Sequence, residues 1–526
     1  MPLFIENTNI VRAYVRWGKQ HGWNSPLFSD TEKELSYRSC YRAAWALGKI
    51  IAARHSHGER IGVLLPSSVG ATIVFYAALF YRLTPVMLNP VVGSRNFQSA
   101  CRTAVISTVY TSKKFLDNLL TAEALTQAAQ DAGATVVCLE DLRPQINTKI
   151  KIGAVLASLF PALSVTRLPG AVSSENEAAA ILFTSGSEGA PKGVSLSHGN
   201  LLANVAQVLC RLPGAAGLRM LNCMPVFHSF GLLAGVVLPA AGGMFARQYP
   251  TPLHYRQIPK IVKKHRAEIF FSANTFLLRY ADEVGSADLQ SLRYVFAGAE
   301  KLQDATRTLW AEKFNISILE GYGVTETAPV IAVNAPETNR PGSVGKPLDG
   351  IVVRLEQVAG VAKGGRLHIK GPNVMLGYFH ADKPGVLQPP PDGWHDTGDI
   401  VELDDDGYLY IKGRMRRFIK IAGEMVPLDV IGETLKAHWL DFDFSVTSLQ
   451  DTRRGEEPVL LTTMPEANRQ NIAAVIQDAG LPSLWQPRRV FVVENIPLQP
   501  TGKPDYLAIQ QLAAECDKKS LCASRK

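Results

Sequence analysis

Apolar and polar positions along the first 340 residues switch repeatedly between a helical and a strand period. Residues 8–53 space Ile10, Ala13, Tyr14 and Trp17, then Tyr41, Ala44, Leu47, Ile50 and Ile51, three or four apart, which predicts helices on both sides of a short strand at 35–37. An apolar run at 61–66 predicts a buried strand, followed by a helix at 71–81 and a second strand at 84–89. The pattern recurs at 105–110 and 134–139, and strand–helix–strand at this spacing predicts parallel sheets covered by helices. Residues 141–175, with several Pro and Ser, read as a connection into another apolar strand at 179–183. A helix at 198–212, a block of apolar strands and turns at 220–246, a strand–helix unit at 268–280 and strands at 294–296 and 316–319 complete this part. From 341 onward short glycine-punctuated strands take over, and the last segment has its own pattern with helices at 428–438 and from 506. The expected fold class is α/β. A large N-terminal domain of parallel-type sheets (1–413), with a β-rich subdomain at 341–413, precedes a small α+β C-terminal domain (414–526), the boundary lying at 412–416.

Composition narrows the class. A chain of 526 residues exceeds one compact core, and 46% hydrophobic with 19% charged residues fits a globular protein, not a disordered one. The net charge of +8 is spread over small basic groups at 260–266, 414–417, 453–454 and 488–489. Each is either a solvated face or a patch for an acidic partner, and no nucleic-acid motif accompanies them. Seven cysteines without a C-x-x-C pair read as free thiols of a reducing compartment. The first twenty residues lack the basic start and apolar core of a signal peptide, and the apolar run at 230–245 is short and broken by Pro239, Gly242 and Gly243. No transmembrane segment and a cytoplasmic location are therefore expected.

The candidate chemistry lies in a few strings. In LFTSGSEGAPKGV (182–194), Gly186 and Gly189 let the backbone turn its N–H groups toward one point. Thr184, Ser185 and Ser187 add hydroxyls and Lys192 a charge. This is the inventory of a polyphosphate cradle, and also of an ordinary Gly/Ser surface loop. It is not a Walker A loop, which needs Gly before its Lys and Ser or Thr after it; here Pro191 precedes Lys192 and Gly193 follows. In EGYGVTE (320–326), Gly321 and Gly323 permit close approach, Tyr322 can stack on a base, Thr325 can donate to a phosphate, and Glu326 can hold Mg²⁺. In WHDTGD (394–399), Asp399 can accept from two ribose hydroxyls, or be a solvated acid in a turn. His228 in FHSFG (227–231) is a site residue or a packed core histidine, and Lys503 in LQPTGKP (498–504) is by itself a surface lysine.

Together and in this order the strings resemble the acyl-adenylate-forming superfamily: acyl-CoA synthetases, acyl-carrier-protein synthetases, luciferases and adenylation domains of peptide synthetases. The resemblance spans residues 30 to 510 and implies ATP and Mg²⁺. It assigns the phosphates to Thr184, Ser185, Gly186, Ser187, Gly189 and Lys192, and the metal to Thr184 and Glu326. Adenine falls to Gly298, Ala299 and Glu300 of AGAEK with Gly321, Tyr322 and Gly323, and ribose to Asp399 and Arg414. Thr325 donates to a phosphate, His228 lines the carboxylate site, and Lys503 bridges carboxylate and α-phosphate from a mobile C-terminal domain. Its hinge would fall at Arg416, where the superfamily usually has Asp or Lys, and rotation would replace Lys503 by the loop at 421–424.

Amino-acid adenylation domains carry an Asp near the FHSFG string; none stands here. Leu232, Leu233, Val236, Val237, Ala273, Phe276 and Leu277 around it favour an apolar, fatty acid. Several strings (YPTPLHYRQIP, AGAEKLQ, KIAGEMV, TGKPD) look closest to the synthetase half of the bifunctional acylglycerophosphoethanolamine acyltransferase/acyl-carrier-protein synthetase. No credible H-x-x-x-x-D of its acyltransferase half is present. The expectation is a ligase forming a fatty acyl-adenylate with release of pyrophosphate, then passing the acyl group to the phosphopantetheine thiol of acyl carrier protein. Three alternatives stand beside it: a coenzyme A ligase for the same acids, a ligase for an aryl or specialised acid, and a non-catalytic nucleotide-binding protein on the same fold.

Overall fold

The computed structural model describes residues 8–184, 191–358, 361, 363–421, 424–451, 455–499 and 504–523. The chain divides into two compact units, Met1–Val352 with Ile369–His395, and Val353–His368 with Asp396–Lys526. The β-rich segment thus supplies residues to both.

The first unit is built on two mixed sheets. Among the described residues one has eight strands. Arg60–Val63, Thr84–Met87, Thr108–Thr111, Thr135–Cys138 and Ala178–Thr184 run parallel, and Lys192–Ser197, Gly377–His380 and Lys383–Gln388 extend the sheet antiparallel beyond Ala178–Thr184. The other has nine, with Pro26–Ser29, Phe245–Gln248, Arg219–Asn222, Ile269–Ser272, Tyr294–Ala297 and Ile318–Gly323 parallel in that order. Antiparallel edge strands close it at both ends. The helices lie where the 3.6 period predicts them. Ile10–His21 starts under an Asn9 cap and Tyr37–Ala52 under a Ser36 capping box. Val69–Phe80, apolar on every face, is almost wholly buried.

Two segments differ from the sequence reading. Residues 141–175 carry a helix, Thr148–Leu159, and a short one, Pro161–Val165, in place of a plain connection. The first has apolar residues all round, so no polar stripe marks its period. The block at 220–246 is strand, helix, strand: Arg219–Asn222, then Ser229–Gly242 with a π-helical stretch at Leu233–Val237, then Phe245–Gln248. A short apolar run reads alike as buried strand or buried helix. Here Gly231 and Gly235 decide for a helix in close contact, since a Cβ on either would overlap the Pro225 carbonyl or the Asn222 amide.

The second unit is α+β. Val352–Glu356, Gly365–Lys370, His395–Leu403 and Leu409–Arg414 form one sheet. A second contains Phe418–Ile421, Glu424–Pro427, Phe444–Asp451, Gly455–Thr462 and Arg489–Val492. Helices Leu428–His438 and Arg469–Asp478 bury Ile431, Leu435, Ile472 and Ile476 against it. On this sheet Arg417 is buried, its Nε donating to Asp429 at 2.8 Å and its guanidinium carbon 3.9 Å from the centre of the Tyr506 ring.

A buried histidine in the first unit makes its stability depend on pH. His198 is 2% exposed, and its Nδ1 accepts the Ile10 N–H at 3.3 Å, as only an unprotonated nitrogen can. Burial pushes its pKa from 6.5 down to about 4. An unfolded chain protonates this ring below 6.5 while the folded one stays neutral, so stability is full above 6.5 and is lost as pH falls toward 4, by about 1.4 kcal/mol per pH unit. The thermal midpoint is expected to fall between pH 7 and 4.5, and less steeply in His198→Asn.

Candidate active site

Strands Ala178–Thr184 and Lys192–Ser197 form a hairpin with Thr184 opposite Lys192 at its mouth. The expected phosphate ligands Ser185, Gly186, Ser187 and Gly189 lie outside the described residues. On the far side of Lys192–Ser197, Tyr378 pairs with Val194, and the Lys192 Nζ stands 5.5 Å from the centre of the Tyr378 ring. The Tyr378 hydroxyl donates to Glu326 Oε1 at 2.7 Å. The Glu326 backbone carbonyl accepts from the Met375 N–H at 2.8 Å, which fixes the residue from a second side. Its turn, Thr325–Thr327, packs against Lys192–Ser197. Lys192, Tyr378 and Glu326 are thereby contiguous. The turn also reaches FHSFG, since the Ser229 hydroxyl donates to Thr325 Oγ1 at 3.2 Å and leaves the Thr325 proton to point elsewhere.

Gly321 to Gly323 end the strand Ile318–Gly323 beside Tyr294–Ala297, with Ala297 in register with Glu320. Gly298, Ala299 and Glu300 therefore leave the sheet next to Tyr322, at the carboxyl ends of parallel strands where open α/β sheets bind ligands. A Cβ at Gly323 would overlap the Pro329 carbonyl, so this approach requires glycine. Ala299 holds the left-handed conformation (φ 72°). The Glu300 carboxylate accepts from both the N–H and the hydroxyl of Thr275, each at 2.9 Å, at the start of helix Asn274–Asp282. Glu320 is buried and accepts from Arg307 at 2.8 Å and from the Gly342 N–H at 2.9 Å. Arg307→Met leaves that carboxylate buried without its cation, and a loss of about 3 kcal/mol is expected in denaturant unfolding.

In the second unit Asp399 is 2% exposed and pairs across the sheet with Arg414, whose Nε lies 3.0 Å from Asp399 Oδ1. The Asp399 N–H donates to Thr397 Oγ1 at 3.1 Å. Lys503, residues 422–423 and the Arg416 side chain lie outside the described residues. Among the described residues no three His, Cys, Asp or Glu side chains group as a metal cage. A magnesium ion carried on nucleotide phosphates needs no such cage, and one carboxylate with a hydroxyl suits it.

A family model described as AMP-binding enzyme matches residues 14–379. The chain belongs to the AMP-binding enzyme family. Among curated relatives it is similar to the probable 4-coumarate–CoA ligase 3 of Dictyostelium discoideum, 30% identical over 344 residues. That match covers 62% of this chain and 62% of the relative's length. It is also similar to the long-chain-fatty-acid–CoA ligase of Bacillus subtilis, 27% identical over 432 residues, covering 76% of this chain and 75% of that one. Among solved structures, o-succinylbenzoate coenzyme A synthetase of Bacillus subtilis, in complex with ATP and magnesium ion, matches with a TM-score of 0.77. At 19% identity over 95% of this chain and 99% of that one, the likeness is one of fold.

In this AMP-binding enzyme the residues expected to line the acid pocket fall into two cores. Leu232, Leu233, Val236 and Val237 pack in one, and Ala273, Phe276 and Leu277 in the other. Phe230 touches both. It meets Phe271 edge-on at 5.9 Å, and Phe271 stacks on Phe296 at 5.1 Å. His228 begins the helix, its ring 4.8 Å from that of Phe227. Ser229, Tyr378, Phe271 and Phe296 escaped the sequence reading. Tyr378 lies in an unremarkable GYF strand, and only strand pairing brings it to Glu326. Several of the basic groups serve this chain itself: Lys263 pairs with Asp288, Arg417 with Asp429, and Arg489 with Glu457 and Asp517.

Proposed function

We propose that this chain is an ATP- and Mg²⁺-dependent acid–thiol ligase that adenylates an apolar, fatty acid and passes the acyl group to a phosphopantetheine thiol. The observation that carries the reading is the connected set Lys192–Tyr378–Glu326 with Thr325 and Ser229, which joins the phosphate hairpin to FHSFG. Thr184 and Lys192 are the proposed holders of the outer phosphates. Glu326 and the Thr184 hydroxyl would hold Mg²⁺, which when bound offsets phosphate charge. Tyr378 fixes the Glu326 carboxylate, and Thr325 turns its proton toward the α-phosphate while its oxygen accepts from Ser229. Asp399, held by Arg414, is the proposed ribose acceptor, and Tyr322 with Gly298, Ala299 and the backbone near Glu300 the adenine platform. His228 borders the acid carboxylate. Lys503 offsets the charge that develops as the carboxylate oxygen bonds to the α-phosphorus and pyrophosphate leaves. The thiol then attacks the acyl carbon and AMP departs. Residues 412–416 are the proposed hinge between the two half-reactions, at the boundary of domains 1–413 and 414–526.

The substrate follows from the absence of an acid in FHSFG and the aliphatic side chains after it. The Phe230, Phe271 and Phe296 set favours a second reading, an aryl acid, in keeping with the names of the 4-coumarate ligases. For the acceptor, the resemblance of several motifs to acyl-carrier-protein synthetases favours the carrier protein, and the names of the curated relatives favour coenzyme A. A reducing, cytoplasmic setting suits the buried thiols Cys40, Cys101 and Cys223.

Thioester formation from octanoate, palmitate, oleate and 4-coumarate, each with coenzyme A or holo-carrier protein and read by mass, tests the proposal. Fatty acyl thioester is the expected product. Product only from the aryl acid would move the substrate to the second reading, and no thioester with any acid would end the proposal.

A further inference from the structure

Helix Thr148–Leu159 is built inside out. Its inner face is made mostly of small residues: Ala154, Ala157 and Ser158 are buried, a Cβ on Gly153 would stand 2.9 Å from the Trp45 ring, and Ile150 packs inward on the core beside them. Its other large side chains point away from the protein. Ile152, Val155, Leu156 and Leu159, followed by Phe160 and Leu163 in the next turn, are between 38 and 63% exposed. At 100° per residue the four helical ones fall in an arc of about 100°, with Lys149 and Lys151 at its two edges. A contiguous apolar face of this kind marks an interaction surface.

Charge selects the occupant. Between Asp141 and Glu175 the chain has no acidic residue, and it has four cations: Arg143, Lys149, Lys151 and Arg167. All four are exposed, and none forms an ion pair among the described residues. An apolar face bordered by unneutralised cations complements the boundary between acyl chains and anionic headgroups, where aliphatic side chains enter the lipid and lysines stay at its rim. No helix of the described residues is long and apolar enough to cross a membrane, so the contact would be peripheral. We propose that the face formed by residues 149–163 docks this chain on the surface of an anionic phospholipid bilayer. The inference rests on this surface alone and is independent of which acid is activated.

The test is sedimentation of the full chain with vesicles of phosphatidylcholine containing one-third phosphatidylglycerol, and with vesicles of phosphatidylcholine alone. The chain is expected to sediment with the anionic vesicles and to be released by salt. Leu156→Glu/Leu159→Glu and Lys149→Glu/Lys151→Glu are each expected to lower binding about tenfold or more, with unchanged thermal midpoints, because all four positions are exposed. Absence of vesicle binding would overturn the proposal. So would equal binding by both variants. A non-binding chain that forms a dimer, and that Leu156→Glu/Leu159→Glu makes monomeric, would assign the face to a second copy instead.

Discussion

Lys503→Ala is expected to lower acid-dependent pyrophosphate release by about 10²- to 10³-fold, the size of losing one preorganised donor at a centre where charge develops. In the first half-reaction negative charge builds on the oxygens around the α-phosphorus, and the lysine ammonium is the proposed group that meets it. In the second, the thiol attacks an acyl carbon and AMP departs, with no bond made at phosphorus. The variant should therefore convert chemically prepared acyl-adenylate and thiol to thioester at the parent rate. This split separates a role at the phosphorus from a role in folding, which would depress both steps together. Equal loss in both half-reactions would remove Lys503 from the proposed position.

Glu326→Gln is expected to raise the half-saturating Mg²⁺ concentration and to lower kcat/KM for ATP by more than about 100-fold, the upper end of what a neighbouring change costs a metal site. The amide keeps the shape of the side chain, and its oxygen can still accept from the Tyr378 hydroxyl, so the turn at Thr325–Thr327 should persist. What disappears is the negative charge, and a neutral amide is a poor ligand for a hard dication. Tyr378→Phe removes only the bond that orients the carboxylate. A loss of about tenfold, recovered at high Mg²⁺, is expected. A magnesium titration across the three proteins checks the order. A Gln variant with the parent's Mg²⁺ dependence would take the metal away from Glu326.

Much of this was legible in the sequence, and the reasons are specific. The parallel strands announce themselves as apolar runs because both faces are covered. EGYGVTE and FHSFG carry their glycines where the backbone leaves no room, as the overlaps at Gly323 and Gly231 show. Long-range pairing was not legible. Tyr378 stands 52 positions from Glu326 and meets it only because Gly377–His380 adds to the edge of Lys192–Ser197. Nor did sequence separate the two cores on either side of Phe230, because a hydrophobic residue gives no sign of which neighbour it will pack against. The π-helical stretch after FHSFG and the reversed helix at 148–159 escaped for a related reason: the first is apolar throughout and the second has apolar residues on every side, so no polar stripe marks their period.

The central claim is adenylation, and the most direct measurement is isotope exchange between pyrophosphate and ATP with no thiol present. The account predicts exchange that requires both Mg²⁺ and a carboxylic acid, is supported by medium- to long-chain fatty acids, and gives way to accumulation of acyl-adenylate, not ADP, when pyrophosphatase is added. Exchange that proceeds without any acid, or ATP cleavage that yields ADP and phosphate, would contradict it.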